Sequence, residues 1–278
     1  MAVKIVTNSS ADIPQYLVDE LGITVVPEYL IFGAKCYKDR IDITEDEFYD
    51  KLVHGKIPPT TSQPTPQDFL STYNEVGENA DGIVSIHIST RLSGTVNSAE
   101  QAKKLTTAKC PIEIIDSKLV AMALGIVVIA AARMAKAGKD FKEVTNASRA
   151  MLSQIKLLAM FDTLEYLARG GRIGRAKSLI GSLLNVKPLL TLKNGEFVPV
   201  SQVRSKARGK ERLLEFIKSL KDIEDLCVIY SCTKEEAAEM ADSIEGFPRR
   251  RIMLVRLGPV VGAHAGPGLL AIGARTKN

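Results

Sequence analysis

The chain reads as an α/β protein of two parts: a mostly parallel, Rossmann-like sheet in residues 1–156 and a mixed-sheet unit in residues 157–278. Three observations predict this. Through residue 120, short apolar runs alternate with helical patterns, the order that builds a parallel sheet covered on both faces. From residue 157 that order gives way to a hairpin signal, Asn194-Gly195 between apolar runs at 189–192 and 197–203. The length, 278 residues, exceeds that of a typical single domain, and 45% hydrophobic residues provide ample core.

The elements follow in chain order. Residues 3–6 form a short apolar strand, followed by the hydroxyl-rich turn Thr7-Asn8-Ser9-Ser10-Ala11-Asp12 and a helix opened by Pro14. Residues 23–26 make a second strand, and 28–37 a strand pair turning near Gly33. Thr44 and Glu47 stand three apart as a capping box for a helix through Leu52. Pro58, Pro59, Pro64 and Pro66 hold the intervening linker extended, with Pro66 starting the next helix. Residues 83–88 are a buried strand. Ser89 to Thr95 then lead into a helix whose apolar Val96, Ala99, Ala102 and Leu105 recur at helical spacing. Residues 112–115 are a strand, and the helix after it is apolar from Leu119 to Ala132. Gly138 stops that helix, and Asp140 with Glu143 caps another.

In the second half, residues 157–161 form a strand and 164–168 a short helix. Arg169-Gly170-Gly171-Arg172-Ile173-Gly174-Arg175 is a glycine-rich basic turn before a further helix. Beyond the hairpin, a helix at 206–220, a strand at 226–230, a helix at 235–244 and a strand at 251–257 complete the unit. The tail, residues 258–268, reads as a loop of glycine, proline and small apolar residues around a single imidazole, His264.

Composition narrows the function. A net charge of +5 is modest for this length, and the basic groups at 204–212 and 249–251 are short. They lack the interleaved aromatics of a nucleic-acid stripe and read as solvated surface. The amino terminus shows no basic region followed by an apolar run and cleavage site, so a cytoplasmic location is expected. The run at 119–132 is too short to cross a bilayer. Cys36, Cys110, Cys227 and Cys232 are dispersed, offer neither a zinc site nor a disulfide framework, and read as packing residues. Gly266-Pro267-Gly268-Leu269-Leu270-Ala271 formally fits a dinucleotide fingerprint, yet only seven residues follow it, too few for the rest of a βαβ unit. No P-loop is present either, so no cofactor and no metal are expected.

The candidate site residues come from segments that end strands or linkers, where open α/β sheets bind ligands. Ser93 precedes Gly94 at a helix start, where unpaired N–H groups favour an anion, although serine there also serves as a plain cap. Thr61 lies in the hydroxyl–proline linker. His264 is the polar group of the tail, and a core-capping loop with one hydrogen-bonded histidine is the competing reading. Ser93 with His264 could also make a serine-dependent small-molecule hydrolase, but Leu92-Ser93-Gly94-Thr95 lacks the Gly-x-Ser-x-Gly elbow.

Four segments together resemble the DegV family of fatty-acid-binding proteins. They are Thr61-Ser62-Gln63-Pro64, Leu92-Ser93-Gly94-Thr95 with Ser98-Ala99, Leu164-Glu165-Tyr166-Leu167 running into Gly170-Gly171-Arg172-Ile173-Gly174, and Gly258-Pro259 through His264 to Gly266-Pro267-Gly268. The opening residues 6–12 also look like the family's start, with Asn8 where aspartate is commoner. The resemblance implies one long-chain fatty acid between two α/β domains, its chain in an apolar tunnel. Its carboxyl group would be held by Thr61 and Ser93, with Gly94 and His264 beside them. It further implies no catalysis by this chain alone. A separate ATP-binding fatty acid kinase subunit would phosphorylate the carboxyl group for phospholipid synthesis, with Arg172 and His264 assisting and transient membrane contact allowed.

Overall fold

The computed structural model describes residues 2–179 and 186–277. Strand β1 (Ala2–Asn8) runs through a single 3-10 turn (Ser9–Ala11) into α1 (Gln15–Leu21) and β2 (Thr24–Val26). β3 (Tyr29–Phe32) and β4 (Lys35–Lys38) form a hairpin through Gly33, whose φ of +59° favours glycine. α2 (Glu45–His54) opens with the expected Thr44–Glu47 capping box. The proline linker is extended as anticipated, but it is also a strand, β5 (Thr60–Ser62), before Pro66 starts α3 (Pro66–Gly77). β6 (Ala80–His87), α4 (Thr95–Leu105), β7 (Ile112–Asp116), α5 (Ala121–Lys136) and α6 (Phe141–Met151) follow.

The second half contains β8 (Ile155–Met160), α7 (Glu165–Arg169), β9 (Lys187–Lys193), β10 (Glu196–Val203), α8 (Lys206–Ser219), β11 (Ile223–Tyr230), α9 (Lys234–Asp242), β12 (Ile252–Arg256), α10 (Pro259–Ala265) and β13 (Leu270–Thr276). The helix expected after Arg175 begins as a 3-10 turn (Gly174–Leu179), and its remainder lies outside the described residues.

The first sheet, β2-β1-β6-β7, is parallel throughout. The second, β10-β9-β8-β13-β11-β12, is mixed, with β11 and β12 its parallel pair. A small antiparallel sheet, β4-β3-β5, carries the linker. α5 packs on β1 and on β8, β11 and β13. Enclosed by both sheets, its body must be apolar all round, which is why residues 121–132 show no polar face and the exposed Arg133 and Lys136 come only in its last turn. The main apolar core therefore runs from Ile5 in the first sheet through Leu124 to Ala271 in the second.

The tail departs from the loop reading. Pro259 sits in the first turn of a helix that ends at Gly266, where φ is +79°, and the following apolar residues enter the second sheet between β8 and β11. The residues of the dinucleotide-like match are thus a turn and a sheet strand. Of the cysteines, Cys227 is buried and Cys110 packs half-buried against the core around Phe69 and Tyr73, as expected, while Cys36 and Cys232 are exposed and packing does not account for them.

Candidate functional site

Between the two larger sheets lies a cavity lined mostly by apolar side chains. Its floor comes from the second sheet. Leu157, Ala159 and Phe161 alternate along β8 and its end, so all three point the same way. Ala159 pairs with Ala271, and Ala271 with Ile229, across three neighbouring strands. Two methyl groups where larger side chains could stand leave the space open. Opposite, Ile88, Leu92, Val120 and Ala121 line the wall. Ala121 has φ of +54° at the start of α5, a conformation an L-residue adopts only at a cost.

One end of this apolar space is polar. Thr61 on β5, Ser93 before α4, Arg172 in the basic turn and His264 on α10 all line it, so the structure gathers four residues spread over 204 positions of sequence. Thr61 Oγ1 lies 2.7 Å from His264 Nε2. Burial, reinforced by the Arg172 charge, pushes the His264 pKa down to about 4, so the imidazole is neutral at physiological pH. Its Nδ1 has no hydrogen-bond partner and faces Gly170, where a Cβ would stand 2.0 Å away. A proton on Nε2 suits this arrangement, because Nδ1 is then an unpaired acceptor rather than a stranded N–H. In that tautomer His264 donates to Thr61, and the Thr61 proton is free to face the cavity.

Arg172 is tied down at both sides. Its Nε donates to Leu92 O at 3.0 Å and a terminal nitrogen to Gly170 O at 2.6 Å, joining the basic turn to the segment that carries Ser93. Ser93 Oγ is 2.9 Å from Thr95 Oγ1. Gly94 differs from expectation. Its N–H donates to Gln63 Oε1 at 3.1 Å, and it stands beside the cavity rather than on its wall. A Cβ there would lie 2.3 Å from Gln63, so glycine admits the Gln63 side chain. The Ser93–His264 hydrogen bond that a hydrolase needs is not formed, since each residue pairs with a threonine instead.

A buried polar layer supports this end. Asp12 accepts from the Gly258 N–H at 2.9 Å and pairs with Arg40 at 3.2 Å, fixing the start of α10 and hence His264. Burial raises Asp12 to about 7 despite Arg40. Glu28, also cavity-lining, accepts from Ser10 N–H at 3.1 Å and from Thr95 Oγ1 at 3.4 Å. Asn8 Oδ1 accepts from Ile88 N–H and from His87 Nδ1, both at 3.2 Å, which places the His87 proton on Nδ1 and leaves Nε2 to accept from Ser85. Sequence reasoning missed Glu28, Ser10 and Gln63. An acidic residue after Pro27 at a strand start carries no local mark of burial.

Thr61, Arg172 and His264 also line a second, adjoining pocket with Pro58, Tyr166 and Arg169, of which Pro58 and Arg169 are exposed. The polar end is therefore a thin partition between the interior cavity and the outer surface. Among the described residues no group of three or more His, Cys, Asp or Glu could hold a metal ion, and no helix is long and apolar enough to cross a membrane.

Comparison with known proteins agrees with this architecture. Two DegV domain-containing proteins are similar to the chain over nearly its full length. The one from Clostridium perfringens is 34% identical over 272 residues, 96% of each chain, and the one from Streptomyces coelicolor 37% over 275 residues, 97% of each. Among solved structures, a fatty-acid-binding DegV family protein from Thermus thermophilus superposes with a TM-score of 0.91 at 33% identity, covering 99% and 100% of the two chains. DegV from Bacillus subtilis, described as a fatty acid binding protein, gives 0.88 at 30% identity with full coverage of both. A stearic-acid-binding protein from Eubacterium ventriosum gives 0.90 at 28% identity, covering 99% and 98%. The family described as "Uncharacterised protein, DegV family" matches residues 2–277, and with both sheets, the cavity and the polar partition in place, the chain is a member of the DegV family.

Proposed function

We propose that this protein binds one long-chain fatty acid in the apolar cavity and presents its carboxyl group to a separate ATP-dependent kinase subunit in the cytoplasm. The carrying observation is the cavity's asymmetry: an apolar interior closed at one end by Thr61, Ser93 and His264, which also back onto the outer surface or stand next to residues that do. Burying about fourteen methylenes at ~0.8 kcal/mol each gives roughly 11 kcal/mol gross, from which the cost of ordering the chain is subtracted. The carboxylate loses several kcal/mol of hydration, and charge-assisted hydrogen bonds return roughly 1.5–3 kcal/mol each. Thr61 and Ser93 supply them. Their neutrality preserves the nucleophilicity of the carboxylate, which a strong guanidinium clamp would reduce.

In this reading the carboxylate oxygen attacks the γ-phosphoryl group of ATP held by the partner, forming an acyl phosphate for phospholipid synthesis, and ADP leaves. Arg172, at the partition, faces the charge that develops on the transferred group. This chain performs no chemistry alone. Mass spectrometry of an organic extract of freshly purified, denatured protein tests the reading. Near-equimolar fatty acid supports it, with loss in the Thr61→Ala/Ser93→Ala double variant. A lipid-free native protein, even after incubation with long-chain acids, contradicts it.

A further inference from the structure

We propose that Glu28 is a positioning residue that sets the direction of the Ser93 hydroxyl, so that an ionised carboxylate is held at Ser93 only when Glu28 carries a proton. This rests on the carrier reading, which puts the ligand carboxyl group at Ser93. The geometry is a short relay. Glu28 is 2% exposed, its Oε1 lies 3.4 Å from Thr95 Oγ1, and Thr95 Oγ1 lies 2.9 Å from Ser93 Oγ. Its other oxygen is occupied by the Ser10 N–H at 3.1 Å.

Each hydroxyl owns one proton, and this fixes the order of donors along the relay. An ionised Glu28 can only accept. Thr95 then donates to Glu28, Ser93 donates to Thr95, and Ser93 turns lone pairs toward the cavity, repelling a carboxylate. A proton on Glu28 Oε1 reverses every bond: Glu28 donates to Thr95, Thr95 to Ser93, and Ser93 to the ligand. The proton comes from solvent, and no other bond forms or breaks.

The surroundings favour this exchange near neutrality. Asp39 faces Glu28 from beyond β4, with the Asp12–Arg40 pair behind it. On the β1 and β6 side stand Asn8 and His87, the latter kept neutral by burial. Arg172 and His264 line the same cavity. Burial, with repulsion from Asp39, raises Glu28 to about 7 against the opposing pull of hydrogen bonds from Ser10 and the Asn8 side chain.

The test is isothermal titration of delipidated protein with myristate below its aggregation concentration, at pH 8, in two buffers of different ionisation enthalpy. Native protein should take up close to one proton per fatty acid, and its affinity should fall toward tenfold per pH unit above 7. In Glu28→Gln the Ser10 N–H holds the amide oxygen, so the NH₂ faces Thr95 and locks the donating order. That variant should take up no proton and bind with constant affinity from pH 6.5 to 8.5. Thr95→Val, which cuts the relay, should likewise be pH-insensitive. Native binding without proton uptake overturns the relay alone. Uptake that persists in Glu28→Gln also overturns it, because the proton then travels on the lipid. No binding by native protein overturns the carrier reading and the relay together.

Discussion

Replacing Gly170 by alanine isolates the contact that holds His264 in place. Gly170 has φ of −76° and ψ of −8°, so alanine is free to adopt its backbone conformation and any effect comes from the added methyl group. That methyl would stand 2.0 Å from His264 Nδ1 and 2.7 Å from Cε1, whereas ordinary contact begins near 3.4 Å. The imidazole must therefore move by about 1.4 Å, and because its other nitrogen, Nε2, already lies only 2.7 Å from Thr61 Oγ1, the displacement disrupts that hydrogen bond. Overpacking of this kind costs roughly 1–3 kcal/mol, and loss of the hydrogen bond about 1 kcal/mol more. Urea unfolding of delipidated Gly170→Ala should show a stability loss of about 2–4 kcal/mol. Fatty-acid affinity should fall roughly fivefold, the equivalent of about 1 kcal/mol. In the Gly170→Ala/His264→Ala double variant the two changes should couple, because the smaller side chain removes the clash. Native stability in Gly170→Ala, or strict additivity in the pair, would refute the packing assigned to this partition.

Three further outcomes follow from the same geometry. Ala271→Phe places a ring over the cavity floor between Ala159 and Ile229. It should shift the accepted chain shorter by several carbons, weakening long acids by about 0.8 kcal/mol per excluded methylene, as read by competition among chain lengths. Arg172→Gln should retain lipid in an organic extract yet support little acyl-phosphate formation with the kinase subunit; unchanged phosphorylation removes Arg172 from that role. His87 has its pKa lowered to about 3 by burial, against 6.5 in the unfolded chain. Below pH 6.5 the unfolded state binds a proton that the folded state refuses, so stability is lost on acidification from 6.5 toward 3, by up to about 5 kcal/mol. The raised carboxyls Glu28 and Asp12 act in the opposite sense, since the folded state holds their protons up to about pH 7. Urea unfolding at pH 7.5 and 4.5 should therefore show a smaller acid loss in His87→Gln than in native protein, and equal losses would exclude His87 as the source.

Much of the fold is written locally. Capping boxes at Thr44–Glu47 and Asp140–Glu143, Pro66 at a helix start and the Asn194-Gly195 turn each carry their signal within a few residues, and each appears as read. The tail fails for a related reason. Glycine and proline around His264 suppress any helical pattern, and the residue that anchors the start of α10, Asp12, which holds the Gly258 N–H just before it, lies 246 residues earlier. Similarly, nothing in the Thr60–Ser62 segment announces its pairing with β3, which depends on residues thirty positions away. For the site, Thr61, Ser93, Arg172 and His264 were legible because hydroxyl, basic and imidazole groups stood among glycines and prolines at element ends. Glu28 was not, since its significance comes from burial against Ser10 and Thr95. The Gly94 N–H looked available from its place at a helix start, and only the fold shows Gln63 already bonded to it.

The central claim is that Thr61 and Ser93 hold the head group of a fatty acid whose chain lies in the apolar cavity. Carbon-13 NMR with a carboxyl-labelled long-chain acid addresses it directly. A single bound carboxyl resonance should appear at one equivalent, move in both Thr61→Ala and Ser93→Ala, and stay in place when Ala271 is enlarged. A labelled carboxyl signal that never leaves its free position, or that ignores both substitutions, would contradict the account.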